Sequence, residues 1–280
     1  MSATAKMVIP RRKRTRTISV TSGKGGVGKS TLISNMALKL SQEGHRVLIL
    51  DGDLGMANID VMFGVRCHYT VEHVLAEEKT LKEILVEIYP NVFLIPGGSG
   101  VYGLQRIDTY HKKLLLDEVS ELEGGFDYML IDTASGIDDN VLYLNSAAQE
   151  TLVVVTPEPA SLTDAYALIK ILNIRLGENR FSVVVNMALD EREAMNIYRR
   201  LSDVAQKFLC ISLDYKGFVP LDANLRAATK SQQLVLQMSP GSPSSYAIRA
   251  LTEKFSGYTS IATSKGGMQF FWEQLVGATL

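Results

Sequence analysis

The chain has 280 residues, 46% of them hydrophobic, which is enough to bury a sizeable core in one large domain or two small ones. Lysine and arginine number 29 against 30 for aspartate and glutamate, and this balance excludes the global positive field that drives non-specific binding to DNA. The two cysteines, Cys67 and Cys210, lie far apart and outside any C-x-x-C pair, which argues against metal clusters and disulfide frameworks.

Residues 1–16 form a basic stretch without the apolar core of a signal peptide. No later stretch reaches the run of about 18 apolar residues that a spanning helix needs. We therefore expect a cytoplasmic protein that is neither secreted nor membrane-spanning. The basic run is a candidate contact for nucleic acid or acidic lipid, but a solvated tail is the expected outcome, and nucleic acid is not an expected partner. This run consists of Arg11, Arg12, Lys13, Arg14 and Arg16.

Six short apolar runs rich in β-branched residues alternate with helical patterns. They are TISVT (17–21), RVLIL (46–50), VFLI (92–95), DYMLID (127–132), TLVVVT (151–156) and FSVVVN (181–186). Most lack strict alternation, as is typical of strands that are covered on both faces. The pattern predicts an α/β fold with a single doubly wound, mostly parallel sheet and helices on both faces. Ligands in such folds bind at the carboxyl ends of the strands.

A glycine-rich segment, GKGGVGKST (23–31), lies between the first predicted strand and a predicted helix that ends at Gly44. It fits G-x-x-x-x-G-K-[ST], in which glycines let backbone amides surround phosphates at a helix N-terminus. Lys29 is expected to reach the β- and γ-phosphates, and the Ser30 hydroxyl to bind magnesium. The candidate nucleotide-binding residues of this loop are Gly23, Lys24, Gly25, Gly26, Val27, Gly28, Lys29, Ser30 and Thr31.

Carboxylates follow two other predicted strands, where magnesium and the attacking water would lie. Asp132 suits the metal shell, through water, and Asp53 suits the placement of the attacking water. Either aspartate alone could cap a helix or form a turn, but together beside a phosphate loop they favour catalysis. Guanine-specific P-loop proteins carry N-K-x-D after a late strand, whereas NMAL (186–189) supplies only the asparagine. The predicted cofactors are therefore ATP and Mg²⁺.

The loop KGGVGKST resembles the deviant Walker A motif of the MinD/ParA family, in which the earlier lysine crosses a dimer interface to the nucleotide of the partner. This resemblance extends over roughly residues 17 to 255. It implies that Lys29 binds phosphate within its own subunit while Lys24 stabilises charge on the ATP of the other subunit. ATP binding and homodimerisation would then be linked equilibria. The catalytic residues implied are Lys24, Lys29, Asp53 and Asp132.

The same resemblance extends to three further segments. LILDGDLGMANIDVMFG (48–64) is similar to switch I, with Asp51 and Asp53 as its carboxylates. DYMLIDTASGI (127–137) is similar to the Walker B and switch II region, with Gly136 as a γ-phosphate sensor. VPLDANLRAATKSQ (219–232) is similar to the late loop near the base, and Asn186 and Pro220 become candidates for lining the adenine pocket.

The segment AAQETLVVVTPEPASLTDAYALIKIL (147–172) resembles the FlhG/FleN branch of flagellar-number regulators. That resemblance implies an ATP-dependent dimerising switch that governs flagellar number and placement. Its implied partners are an FlhF-type GTPase, a flagellar transcription regulator or a flagellar switch-complex protein. The basic tail lacks the D-Q-A-x-x-L-R segment with which some members activate that GTPase. The alternatives are a ParA-type partition ATPase, a MinD-type cell-division positioning ATPase and a nucleotide-bound scaffold without useful hydrolysis.

The last predicted helix carries an apolar stripe within GGMQFFWEQLVG (266–277). The stripe consists of Met268, Phe271, Trp272, Leu275 and Val276, at helical spacing. In the family that the chain resembles, such a helix sits on the membrane, which implies peripheral association with the inner membrane; the alternative is that it packs on its own domain. The expected organisation is a basic tail (1–16), an ATPase domain (17–255), a linker (256–267) and an amphipathic helix (268–277).

Overall fold

The computed structural model describes residues 14–53, 59–98, 108–256 and 265–277. The strands are β1 (Arg16–Ser22), β2 (Val47–Gly52), β3 (Val86–Tyr89), β4 (Val92–Pro96), β5 (Tyr128–Ser135), β6 (Glu150–Val155), β7 (Phe181–Ala188) and β8 (Leu213–Pro220). The helices are α1 (Lys29–Gln42), α2 (Ile59–Met62), α3 (Val71–Leu75), α4 (Leu81–Ile84), α5 (Thr109–Leu122), α6 (Asp139–Ala147), α7 (Pro159–Leu176), α8 (Glu191–Leu209), α9 (Ala223–Lys230), α10 (Val235–Met238), α11 (Pro243–Ser256) and α12 (Met268–Leu275).

The described strands form one eight-stranded sheet in the order β3-β4-β2-β5-β1-β6-β7-β8. Only β3 and β4 pair antiparallel, so the predicted mostly parallel sheet is confirmed. All six predicted strands are present, but the two edge strands β3 and β8 were not predicted. β3 is four residues long, and β8 is largely half-exposed, so neither has the continuous apolar run of a central strand.

Helices cover both faces of the sheet, as the apolar runs predict. Along β2, Val47 and Ile49 face the cluster that contains α1 and α11, whereas Leu48 and Leu50 face the cluster that contains α5, α6 and α12. A third cluster joins β6 and β7 to α7 and α8. Because successive side chains of a strand point to opposite faces, a strand between two helical layers must be apolar throughout.

The sheet begins at residue 16, which was predicted as the last residue of the basic tail. Thr15 is buried and donates from Oγ1 to the Phe126 carbonyl at 2.9 Å. Arg16, the first residue of β1, forms an ion pair with Glu150 in which Nε and Oε1 are 2.5 Å apart. Arg16 therefore belongs to the sheet and not to the tail. Residues 11–13 of the predicted basic run lie outside the described residues.

The C-terminal helix α12 is part of the core. All five residues of its apolar stripe are at most 1% exposed. They pack with Leu115 and Val119 of α5 and Leu144 of α6. Most of the predicted linker, residues 257–264, lies outside the described residues. No helix in the described part of the chain has the length and apolarity needed to cross a bilayer.

Candidate nucleotide site

A cavity of about 640 Å³ opens at the carboxyl ends of the parallel strands, a volume typical of small-ligand sites. Nine of the predicted site residues line it: Gly25, Gly26, Gly28, Lys29, Ser30, Thr31, Asp53, Asn186 and Pro220. Its wall also includes residues that were not predicted individually, namely Ser135, Met187, Leu221, Leu225 and Arg226. The cavity wall thus combines glycine amides and charged groups near the start of α1 with both apolar and charged side chains that follow β7 and β8.

The start of α1 presents free backbone amides to this cavity. The helix begins at Lys29, and its first backbone bond runs from the Leu32 amide to the Gly28 carbonyl at 3.0 Å. The amides of the first turn therefore have no partner within the helix, and they carry the positive end of the helix dipole. Gly28 has φ of 94°, and an added Cβ would lie 2.5 Å from Nδ2 of Asn186. Only glycine accommodates both this left-handed φ and this close approach of Asn186. Because its backbone amides are free, the loop is suited to bind an anion.

Lys29 is only 6% exposed and reaches two serine hydroxyls. Its Nζ donates to Oγ of Ser135 at 2.6 Å and to Oγ of Ser22 at 3.1 Å. Burial lowers the pKa of Lys29, and the charges of Asp132 and Asp53 oppose that shift. The sequence signal for Ser135 was its position in TASG, three residues after Asp132.

Asp132 is 1% exposed and accepts a hydrogen bond from the Ser30 side chain. Its Oδ1 has no hydrogen-bond partner among the described residues. Burial raises the pKa of Asp132 to about 7, and the Ser30 hydrogen bond and the Lys29 charge oppose the shift. A buried carboxylate oxygen without a partner, beside a hydroxyl, is the oxygen donor set that Mg²⁺ accepts. These two side chains therefore fit a magnesium ion.

Asp51 lies behind the cavity wall, whereas Asp53 faces the cavity. Asp51 is 3% exposed and is the register neighbour of Asp132 on the adjacent strand. Burial raises the pKa of Asp51 to about 8, and the Asp132 charge adds to the shift. Oδ1 of Asp51 accepts from the Asp53 amide at 3.1 Å, so Asp51 holds the backbone that presents Asp53.

Asn186 contacts the phosphate loop directly. Its Nδ2 donates to the Val27 carbonyl at 2.7 Å, and its Oδ1 accepts from the Met187 amide at 2.9 Å. Besides lining the cavity, this side chain ties the end of β7 to the loop. Pro220 lines the cavity from the end of β8, and Gly136 lies outside the wall, where its amide donates to the Ser22 carbonyl at 3.0 Å.

The two lysines of the loop are placed differently. Lys24 lies outside the cavity wall, and its ammonium group pairs with Glu158 of the same subunit. Ser22 connects the two lysines, because its hydroxyl accepts from Lys29 and donates to the Lys24 carbonyl at 2.7 Å. Sequence reasoning did not identify Ser22 or Glu158, since Glu158 is 134 positions from Lys24.

Residues 13–256 match the family model ParA, described as a NUBPL iron-transfer P-loop NTPase. The chain is 39% identical to the antiactivator FleN of Pseudomonas aeruginosa over 92% of both chains. It is 36% identical to the flagellum site-determining protein YlxH of Helicobacter pylori, over 81% of this chain and 76% of that protein. The structure of the septum site-determining protein MinD of Pyrococcus horikoshii, complexed with Mg-ADP, has a TM-score of 0.68 and 26% identity over 89% of this chain and 99% of that one. Because the family model spans residues 13–256 and the relative FleN is 39% identical over 92% of the chain, this chain belongs to the ParA/MinD family of P-loop NTPases.

Proposed function

We propose that this protein is an ATP-hydrolysing switch that dimerises with ATP and regulates the number or placement of flagella. The observation that carries the proposal is the separation of the two lysines. Lys29 is buried in the cavity, whereas Lys24 is 37% exposed at the outer edge of the same loop. This exposed position outside the cavity supports a role for Lys24 on the nucleotide of a second copy. The flagellar role rests on the relatives named FleN and YlxH.

The positions of these side chains support the following catalytic roles. The amides of the first turn of α1 and the Lys29 ammonium would hold the phosphates, while Ser30 and Asp132 would hold Mg²⁺. Bound Mg²⁺ would supply charge neutralisation on the phosphate oxygens. Asp53, at the cavity wall, orients the attacking water, and its backbone is held by Asp51. The Mg-ADP complex of the Pyrococcus horikoshii protein supports this choice of cofactor.

Peripheral membrane attachment belongs to the same proposal, with a condition that the fold imposes. The apolar stripe of α12 is buried in the groove between α5 and α6, so it reaches a bilayer only after the helix leaves this groove. One copy of such a helix binds a membrane weakly, but two copies on an ATP dimer act as a linked pair. Co-sedimentation with anionic vesicles that depends on ATP, and that fails with ADP, is the expected result.

The switch is tested by comparing two alanine variants. Lys29→Ala should abolish ATP binding in calorimetry, because it removes the buried cation from the cavity. Lys24→Ala should bind ATP measurably but lose ATP-dependent dimerisation, measured by sedimentation velocity, and lose turnover. Equal loss of nucleotide affinity in both variants would contradict the division of labour.

Turnover and phenotype distinguish the alternatives. A nucleotide-bound scaffold would dimerise with ATP and release no phosphate, whereas the switch releases phosphate in a Lys24-dependent manner. Deletion of the gene in its host, followed by flagellar counts in the electron microscope, tests the biological role. Unchanged flagella with disturbed plasmid partition or division-site placement would favour the partition or cell-division alternatives.

A further inference from the structure

Two serine hydroxyl groups from neighbouring strands hold the buried ammonium group of Lys29. Ser22 is the last residue of β1 and Ser135 the last residue of β5, and the two are register partners across this strand pair. Lys29 Nζ donates to both hydroxyl oxygens, at 3.1 Å to Ser22 and at 2.6 Å to Ser135. An ammonium group has three N–H donors, so contacts with the described residues use two of them and leave one for a ligand.

The hydroxyl group of Ser22 is fully committed within the protein. Ser22 is completely buried and does not line the cavity. It donates its hydroxyl hydrogen to the Lys24 carbonyl at 2.7 Å. Because a serine has one O–H donor, Ser22 can orient the lysine but cannot donate to a nucleotide.

Ser135 makes the same bond to Lys29 in different surroundings. It is half-buried and lines the cavity. Its hydroxyl oxygen accepts from Lys29, and its hydroxyl hydrogen has no acceptor among the described residues. An O–H group that accepts from a cation is polarised and becomes a stronger donor. The hydroxyl also faces the phosphate loop, since a Cβ added at Gly25 would lie 3.8 Å from Ser135 Oγ.

The backbone on both sides of Ser135 fixes the position of this hydroxyl group. The strand that ends at Ser135, β5, is paired with β1 on one side and with β2 on the other. Gly136, the next residue, has φ of 104°, and its amide donates to the Ser22 carbonyl at 3.0 Å. Ser135 therefore retains mainly the rotation of its own side chain, which can turn the hydroxyl hydrogen towards the cavity.

We propose that Ser135 is a specificity-determining residue that donates its hydroxyl hydrogen to the terminal phosphate of a nucleoside triphosphate while it accepts from Lys29. The inference rests on the proposed binding of magnesium-ATP in this cavity. In phosphate loops the backbone amides hold the inner phosphates and the lysine reaches the outer two, so a hydroxyl bonded to that lysine lies at the outer end. A diphosphate has no phosphate group at this end, and Ser135 thus favours ATP over ADP.

The size of the effect follows from the charge of the acceptor. With Mg²⁺ present, Ser135→Ala should lower the affinity for the β,γ-imido analogue of ATP about tenfold more than the affinity for ADP, because hydrogen bonds to charged groups are stronger than those between neutral groups. Ser135→Thr keeps a hydroxyl group on the same carbon and should restore the ratio of the two affinities.

Calorimetry on the full chain measures both affinities, and Ser22→Ala is the matched control. That variant also removes one hydroxyl acceptor from Lys29, but the lost hydroxyl does not line the cavity. It should weaken the binding of both nucleotides by the same factor and leave their ratio unchanged. The same titrations in a Lys24→Ala chain, which is expected to stay monomeric, remove the contribution of dimerisation to the ratio. Circular dichroism before each titration shows whether the variants are folded.

The outcomes separate this inference from the function on which it rests. Equal losses for the two nucleotides in Ser135→Ala would show that the serine only positions Lys29 and would overturn the inference, as would unchanged affinities. An equal change of the ratio in Ser22→Ala, or a change that is absent from the Lys24→Ala chain, would overturn it as well.

The parent chain decides the underlying function. If it binds neither nucleotide, the proposed function fails and the inference fails with it. If it binds both and dimerises with ATP, while Ser135→Ala keeps the parental ratio, only the inference fails. A selective loss of affinity for the triphosphate analogue in Ser135→Ala, reversed in Ser135→Thr, supports the inference.

Discussion

Replacing Trp272 with alanine is expected to destabilise the whole domain. Trp272 is fully buried, and its ring meets that of Phe271 edge to face with centroids 5.9 Å apart. Truncating a buried tryptophan to alanine costs about 3–5 kcal/mol, because apolar burial is lost and a cavity remains. Its Nε1 has no hydrogen-bond partner in the described part of the chain, so no hydrogen bond there adds to this cost. Since whole domains have unfolding free energies of about 5–15 kcal/mol, the loss is a large fraction of the total.

Urea denaturation without nucleotide, followed by circular dichroism, measures this loss. The midpoint should fall while the slope of the free energy against urea stays unchanged. Gln274→Ala is the matched control, because Gln274 is an exposed residue of the same helix and should change stability by less than about 0.5 kcal/mol. A loss below about 1 kcal/mol in Trp272→Ala would show that α12 is undocked in solution and would refute this reasoning. Trp272 is the single tryptophan of the chain, so its fluorescence also reports undocking when ATP and vesicles are added.

Asp53→Ala should still bind magnesium-ATP and should accumulate as a dimer, because the role proposed for Asp53 is to orient water and not to hold the nucleotide; a monomeric variant in sedimentation, or parental phosphate release, would contradict this role. Asn186→Ala leaves the buried Val27 carbonyl without its hydrogen-bond donor. The affinity for ADP in calorimetry should fall by about tenfold, which corresponds to a loss of about 1.4 kcal/mol of binding free energy. Unchanged affinity would show that the contact does not shape the loop. The pKa values of Asp51 and Asp132 are raised to about 8 and about 7 in the folded protein. Their contribution to the free energy of unfolding is therefore complete below their unfolded pKa near 4 and is lost as the pH rises through 7 to 8. The unfolding free energy of the nucleotide-free protein should therefore fall between pH 5 and pH 8, as measured by chemical denaturation at intervals of about one pH unit. Asp51→Asn should reduce that fall, and an equally steep fall in the variant would rule out Asp51 as its source.

Local patterns in the sequence predicted the central sheet and much of the cavity. The run GKGGVGKST specifies the loop and the start of α1 because glycine conformation, helix initiation and phosphate binding are all properties of neighbouring residues. The central strands were predictable because burial on both faces demands continuous apolar runs. The edge strand β8 has mostly half-exposed residues, so its sequence does not differ from that of a loop.

Other features depend on residues that only the fold brings together. An apolar stripe is the same in a helix that packs on its own domain and in one that binds a membrane, and the groove between α5 and α6 decided that α12 is buried. The adjacency of β1 and β6 decided that Lys24 meets Glu158, 134 positions away. The strand register decided that Asp51 lies beside Asp132 and behind Asp53. In each case composition determines which groups are available, whereas long-range strand order and helix docking determine which of them are neighbours.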